Sequence, residues 1–381
     1  MRLWPSGIIW LLLAWFLAGC SSNEVKDEPM DLPDFKSEIK LKEVWSRSIG
    51  DGYDELLLFI EPVIQGDEIY AIDLEGELTA LNRLNGKRLW RRSLDEPILG
   101  GIGADSTHLF VTNRKGELIA LSITDGTELW RKSVSSEVLA APQSDGVRVV
   151  VSTIDGNVFC FDTTTAELLW RYDTETPVLT MRGNATPLIA GDSALTGLAN
   201  GELVALDIKS GAPRWEFPVG VAQGRTELER LVDVDGQPRI FDNRIFAISY
   251  QGRLVVIDAF TGQEVWSKKE SSYRSLDLGL GQIYVSTSDG EVVAYNLTNG
   301  IEIWRQSNIK FRRLSAPKAW GSVVAVGDYE GYLHILSQID GHFMARTDVD
   351  SDGIRAHMIV SDDLLYVYGN GGELAAFRIQ N

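Results

Sequence analysis

The sequence predicts an all-β fold, an eight-bladed β-propeller of four-stranded antiparallel blades. Three observations carry this prediction: one motif recurs at a nearly constant step, no segment shows a sustained helical stripe, and each chain end holds half of a repeat. Trp, or in one case Ala, stands at positions 45, 90, 130, 170, 215, 266, 304 and 345, so the steps are 45, 40, 40, 45, 51, 38 and 41 residues. A period near 40–45 residues with several short strands per unit marks propeller blades. Runs of Val, Ile, Leu and Tyr alternate with polar residues throughout, where an amphipathic helix would repeat every 3.6 residues.

The clearest copy is residues 116–134. Glu117 to Leu121 reads as a strand, Asp125-Gly126 as a hairpin turn, and Leu129-Trp130 as the returning strand. Gly at that turn accepts positive φ without steric cost. Further copies open at Gly76, Gly156, Gly201, Gly252, Gly290, Gly331 and Gly372. Ala166 replaces the turn Gly in one copy, and Ala345 replaces Trp in another, so the seventh blade is expected to pack differently. Cys160 stands in the slot of Ala80, Ala120, Ala205, Ala294 and Ala376, which reads as a demand for a small buried residue. One large aromatic per blade is a natural wedge between neighbouring sheets.

The ends are complementary. The copy from Gly372 stops at Asn381 without its Trp strand, while Trp45, in Lys42–Ser46, has no hairpin before it. Pairing the two completes an eighth blade and removes two exposed sheet edges. The propeller is therefore expected to span residues 40–381. A ring of blades evades the size limit of a single core, since each blade packs only on its neighbours.

Residues 1–19 read as a signal peptide: Arg2 is their only charge, and Ile8 to Leu17 is an apolar run too short to cross a bilayer comfortably. Leu17-Ala18-Gly19-Cys20 resembles a bacterial lipoprotein lipobox, which implies cleavage before Cys20 and its acylation. Ser21 after the Cys implies sorting to the outer membrane. Residues 20–39, polar and acidic with two prolines, read as the acylated Cys and a flexible tether.

The formal net charge is −18 with no Lys/Arg cluster, which argues against nucleic-acid binding. No metal site or cofactor is expected. Asp348-Val349-Asp350-Ser351-Asp352-Gly353 opens like a calcium loop, but its twelfth position is Ile359 where a bidentate Glu is needed. A solvated turn is the expectation there. His108, His334, His342 and His357 fall in different repeats without metal spacing, and no catalytic signature appears.

Two insertions lengthen the repeat, residues 176–187 after Trp170 and residues 224–235 after Trp215. Long loops on a rigid scaffold are where function tends to sit, and these fall in adjacent units. Apolar residues beside Arg are also typical of interface hot spots.

The repeat, seen well in Ala205-Leu206-Asp207 through Gly211 to Trp215, resembles the PQQ-like propeller repeat. Together with the lipobox, Met181-Arg182-Gly183-Asn184-Ala185-Thr186-Pro187, residues 225–235 and residues 326–334, it is similar to the BamB family of the outer-membrane β-barrel assembly machinery. The resemblance covers nearly the whole chain. It implies a non-enzymatic lipoprotein scaffold on the periplasmic side of the outer membrane. Such a scaffold binds the POTRA domains of BamA within the Bam complex and assists folding and insertion of outer-membrane barrels. By motif, the BamA-binding residues are Leu179, Met181, Arg182, Asp233 and Asp235. Two other readings stand beside it. Exposed blade edges could take up unfolded barrel precursors by strand addition. PQQ-dependent dehydrogenases share the repeat, but their quinone stacks on a vicinal disulfide and coordinates calcium. This chain has no Cys-Cys pair, and its calcium-like loop is incomplete.

Overall fold

The computed structural model describes residues 28–380, apart from 54–57, 176, 178, 180–184, 222 and 227–228. The signal segment and Cys20 lie outside these residues. The described chain forms eight four-stranded antiparallel sheets, seven of them at residues 63–93, 103–133, 143–172, 188–218, 239–269, 277–306 and 318–348 (blades 1 to 7). In blade 8 the strands from 359 to 380 are joined by Lys40–Ser48, which pairs with Glu373–Gln380 from Lys40↔Gln380 to Ser48↔Glu373. The two chain ends close the ring.

Each blade runs from the axis outward. First strands of neighbouring blades touch one another, as 277–279 does 318–320. The two middle strands are buried, and the outer strand is largely exposed. In blade 2, Leu109–Thr112 and Leu118–Leu121 are inside, whereas Glu128–Ser133 is half-exposed to exposed.

The strand register explains the sequence motif. The small residue stands directly opposite the aromatic one: Ala80↔Trp90, Ala120↔Trp130, Cys160↔Trp170, Ala205↔Trp215, Ala294↔Trp304 and Ala376↔Trp45. In the hairpins a bulge follows this pair, and a bulge raises the local twist of the strands. The indole then reaches the next blade. Trp170 is buried, its Nε1–H donates to the Ile208 carbonyl at 2.8 Å, and Gly211 sits against its ring. A Cβ on Gly211 would lie 2.7 Å from the indole, and its φ of +71° already excludes most side chains. Trp45, Trp130, Trp215 and Trp304 make the corresponding hydrogen bonds to Arg83, Thr163, Ala259 and Gln338 carbonyls.

Blade 7 is packed differently, as Ala345 implies. Opposite Ala345 stands the larger Ile335, and the wedge comes from the first strand instead. Trp320 is buried beside both residues and donates to the Asp363 carbonyl of blade 8 at 3.1 Å. Cys160 is fully buried, and burial pushes its thiol up to about 12, so it behaves as a small apolar residue.

The expected tether is in part a docked strap. Met30 N–H donates to the Lys310 carbonyl at 3.1 Å and Glu38 N–H to Met344 at 2.8 Å, so residues 30–38 run along blades 6 and 7. Phe35 stacks on Phe343 at 5.3 Å, and Leu32 packs on the same cluster. Beneath the strap, the buried Asp328 carboxylate accepts from Arg312 Nε at 2.7 Å and from His334 Nε2 at 2.9 Å. Arg312 reaches on to the Met30 carbonyl and Arg346 to that of Pro33. Arg346 Nε also donates to His334 Nδ1, which fixes a neutral imidazole with its proton on Nε2. Two apolar side chains and two carbonyls taken up by the buried Arg312 and the half-buried Arg346 hold a segment whose composition reads as disordered.

Trp170→Ala is predicted to cost about 3–5 kcal/mol, because it opens a cavity between blades 3 and 4 and orphans the Ile208 carbonyl. Urea unfolding should show a lower midpoint at unchanged slope. A loss below about 1 kcal/mol would mean that the indole does not wedge the blades.

Candidate partner-binding face

Loops that lead from an outer strand to the next blade share one face of the ring with the turns between middle strands. The two longest of these inter-blade loops run from 173 to 187 and from 219 to 238, so both insertions lie on that face. They meet there: Gln237 Nε2 lies 3.5 Å from the Pro187 carbonyl, and Thr186, Asp235 and Gln237 line one cavity.

In the first loop, Leu179 is 40% exposed. Met181 and Arg182 lie outside the described residues. In the second loop, a local turn is built by a capping box: the Glu229 N–H donates to Thr226 Oγ1 at 3.2 Å, and Glu229 Oε2 accepts from the Arg225 and Thr226 N–H groups at 2.6 and 3.2 Å. These bonds favour the charged form and hold the Glu229 carboxyl below its usual range. The following stretch alternates. Val232 and Val234 are buried against blade glycines, Gly201 and Gly197 among them, and Tyr250 N–H donates to the Asp233 carbonyl at 2.9 Å.

Asp233 and Asp235 are therefore placed differently from surface contact residues. Asp233 is 1% exposed, inside the loop's foundation. Asp235 is half-buried at the wall of the central funnel, with a hydrogen bond to Asp233. Burial outweighs that bond and the Arg274 charge, and it pushes the Asp235 carboxyl up to about 7. The Val-Asp-Val-Asp alternation was the available sign that this stretch docks like a strand, with Asp233 enclosed and Asp235 turned to the funnel wall.

The funnel encloses a cavity of about 680 Å³ on the ring axis. Arg274, Arg313 and Arg355 line it together with Asp235, Asp352 and Glu61. Glu61 is held by His357. Of the other imidazoles, His334 and His342 both fall within blade 7 rather than in separate repeats, and each has its own carboxylate: His108 with Asp105, His334 with Asp328, His342 with Asp340. In the calcium-like stretch, Asp350 accepts from the backbone N–H of Asp352 at 3.0 Å and of Glu373 at 3.2 Å, and the turn docks on Asn370. Among the described residues no group of three or more His, Cys, Asp or Glu is arranged to hold a metal ion.

Fold and register define the class: an eight-bladed propeller of PQQ-like repeats whose elaborated loops gather on one face. The sequence matches the family described as "Outer membrane protein assembly factor BamB" over residues 74–306 and 288–381. It is 52% identical over 371 residues to the outer membrane protein assembly factor BamB of Pseudomonas aeruginosa, covering 97% of this chain and 98% of that protein. The crystal structure of BamB from Moraxella catarrhalis superposes with a TM-score of 0.82 at 30% identity, over 89% of this chain and all of that one. A europium-containing methanol dehydrogenase superposes at 0.73 with 14% identity, over 89% of this chain and 93% of that one, a likeness of fold alone. The chain belongs to the BamB family of outer membrane protein assembly factors.

Asp235→Asn is predicted to change the pH dependence of stability. The folded-state pKa near 7 lies above the unfolded value of about 3.9, so the folded state keeps a proton that the unfolded chain has lost. Wild-type stability should therefore fall as pH rises from about 4 to about 7 and stay lowered above that. The variant should lack this component and melt higher than wild type at pH 8, but not at pH 4. Thermal unfolding across that range checks it; parallel curves would mean that Asp235 titrates normally.

Proposed function

We propose that this chain is a non-enzymatic scaffold of the Bam complex that binds the POTRA domains of BamA through the face carrying its two long loops. The observation that carries the reading is the meeting of those loops at Gln237 and Pro187, beside exposed Leu179. Leu179, Met181 and Arg182 would touch the partner. Asp233 and Asp235 would act from behind, by fixing the second loop. Residues 1–19 would serve as the signal peptide. Acylated Cys20 would hold the propeller of residues 40–381 on the periplasmic side of the outer membrane. The docked strap supports a short leash: from Cys20 to residue 28 an extended chain spans at most about 30 Å.

Direct capture of unfolded barrel precursors is a separate second activity, favoured by the outer strands, where Leu89, Leu129, Leu168 and Ile303 are exposed. It would depend on main-chain pairing and tolerate many client sequences.

Binding of residues 21–381 to the periplasmic domains of BamA tests the scaffold reading. Arg182→Ala should weaken binding by roughly tenfold or more, the usual scale of an interfacial Arg, with unchanged circular dichroism. Thr226→Ala, which removes a cap worth about 1 kcal/mol, should weaken it less while leaving the melting of the ring unchanged. Undiminished binding in both variants would move the site elsewhere on the ring. Loss of BamA binding with retention of client peptides would separate the two surfaces.

A further inference from the structure

The funnel holds a feature that the scaffold reading leaves unused. Arg274 lies between blades 5 and 6, and the whole residue is 7% exposed. Its Nε–H donates to the Leu314 carbonyl at 2.9 Å. Its guanidinium carbon lies 4.8 Å from the Phe59 ring centre and 4.9 Å from that of Tyr273. Nη1, by contrast, is enclosed and has no hydrogen-bond partner among the described residues. Burial lowers the Arg274 pKa to about 10, so the side chain remains a cation at neutral pH. A buried cation with an unmade hydrogen bond is costly, and structures rarely retain one without use.

The surroundings say what would complete it. Arg313 adds a second cation at the rim of the same cavity and holds a left-handed backbone at φ +50°. Leu58, Phe59, Tyr273, Tyr329 and Ile354 give the cavity an apolar and aromatic lining. Of the three carboxyls there, Glu61 is taken by His357, Asp352 is exposed to solvent, and burial keeps Asp235 largely protonated below neutral pH. Its Oδ1 is likewise enclosed and unpartnered, near the Arg274 charge. A cavity of about 680 Å³ is within the usual range for small-molecule sites. Guanidinium groups match carboxylates in charge and planar geometry.

We propose that the central funnel binds a small organic carboxylate with an apolar body, the carboxylate on Arg274 and the body against Phe59 and Tyr273. The proposal does not rest on BamA binding, although Thr186, Asp235 and Gln237 of the two long loops also line the funnel. A carboxylate side chain presented by a peptide has the same chemistry from a second source.

Calorimetric titration of residues 21–381 at pH 6 with benzoate, 3-phenylpropionate and 4-phenylbutyrate tests it, with 4-phenylbutyramide as the uncharged comparator and an acetylated, amidated Glu-Phe peptide as the second source. At least one of these carboxylates should bind, and the amide at least tenfold more weakly. Arg274→Gln should weaken carboxylate binding by tenfold or more if circular dichroism shows it folded. Arg313→Gln, at an exposed position, should weaken it several-fold and tests the site even if the Arg274 variant fails to fold. Tighter binding of the free acids marks a small-molecule site, and tighter binding of the peptide marks capture of a side chain. Absence of binding by every carboxylate at 10 mM, equal binding of acid and amide, or binding indifferent to both substitutions would overturn the proposal.

Discussion

The antiparallel ladder between Lys40–Ser48 and Glu373–Gln380 is the contact on which the rest of the ring depends. Without it, blade 8 loses its outer strand, and Trp45 loses both the small residue opposite it and its approach to Gly86. Most other blade-to-blade steps are local, made by an indole against the next hairpin turn, as Trp170 is against Gly211 and the Ile208 carbonyl. This ladder joins residues more than three hundred positions apart. Closing so long a loop costs entropy only logarithmically in its length, whereas an open ring would expose two sheet edges. A long bulged ladder with Trp45 buried beneath it is a proportionate latch.

The blades were legible in the sequence because their register repeats. Once a small residue must face its own blade's Trp and a glycine must lie against the Trp of the blade before, the spacing of Ala205, Gly211 and Trp215 is fixed by geometry. What broke that register was harder to see. Ala345 announced a change in blade 7, but Trp320 comes from a different strand, where no periodic slot points to it. The strap was missed for a related reason. Leu32 and Phe35 are two apolar residues in a polar stretch, and the buried charges that hold it, Arg312 and Arg346, lie some three hundred residues further on. Arg274, in Ser-Ser-Tyr-Arg-Ser, belongs to no pattern, and its significance comes entirely from what surrounds it.

The candidate face shows the same division. That the two insertions would meet followed from their adjacency. That Asp233 would turn inward did not follow from a motif, because a motif marks which residues matter without saying whether they touch a partner. Buried Val232 and Val234 draw the Asp233 backbone into an extra bridge with Tyr250, and this makes the loop a fixed part of the ring. A rigid loop loses less freedom on binding than a mobile one, so carboxylates set into a loop's foundation would be a physical means of tightening any interface that loop makes.

The strap adds a constraint of orientation. Near its described end, Met30 is bonded to the loop that joins blades 6 and 7, on the face where the long loops lie. Those long loops flank blade 4, roughly a third of the way round the ring. A membrane tether leaving from Met30 would thus share a face with the partner loops without covering them. A fully flexible tether starting at residue 39 would leave from the opposite edge of blade 7 and impose no such relation. For a propeller anchored through Cys20, the Arg312–Asp328–His334–Arg346 network that holds the strap would thereby set which way those loops face.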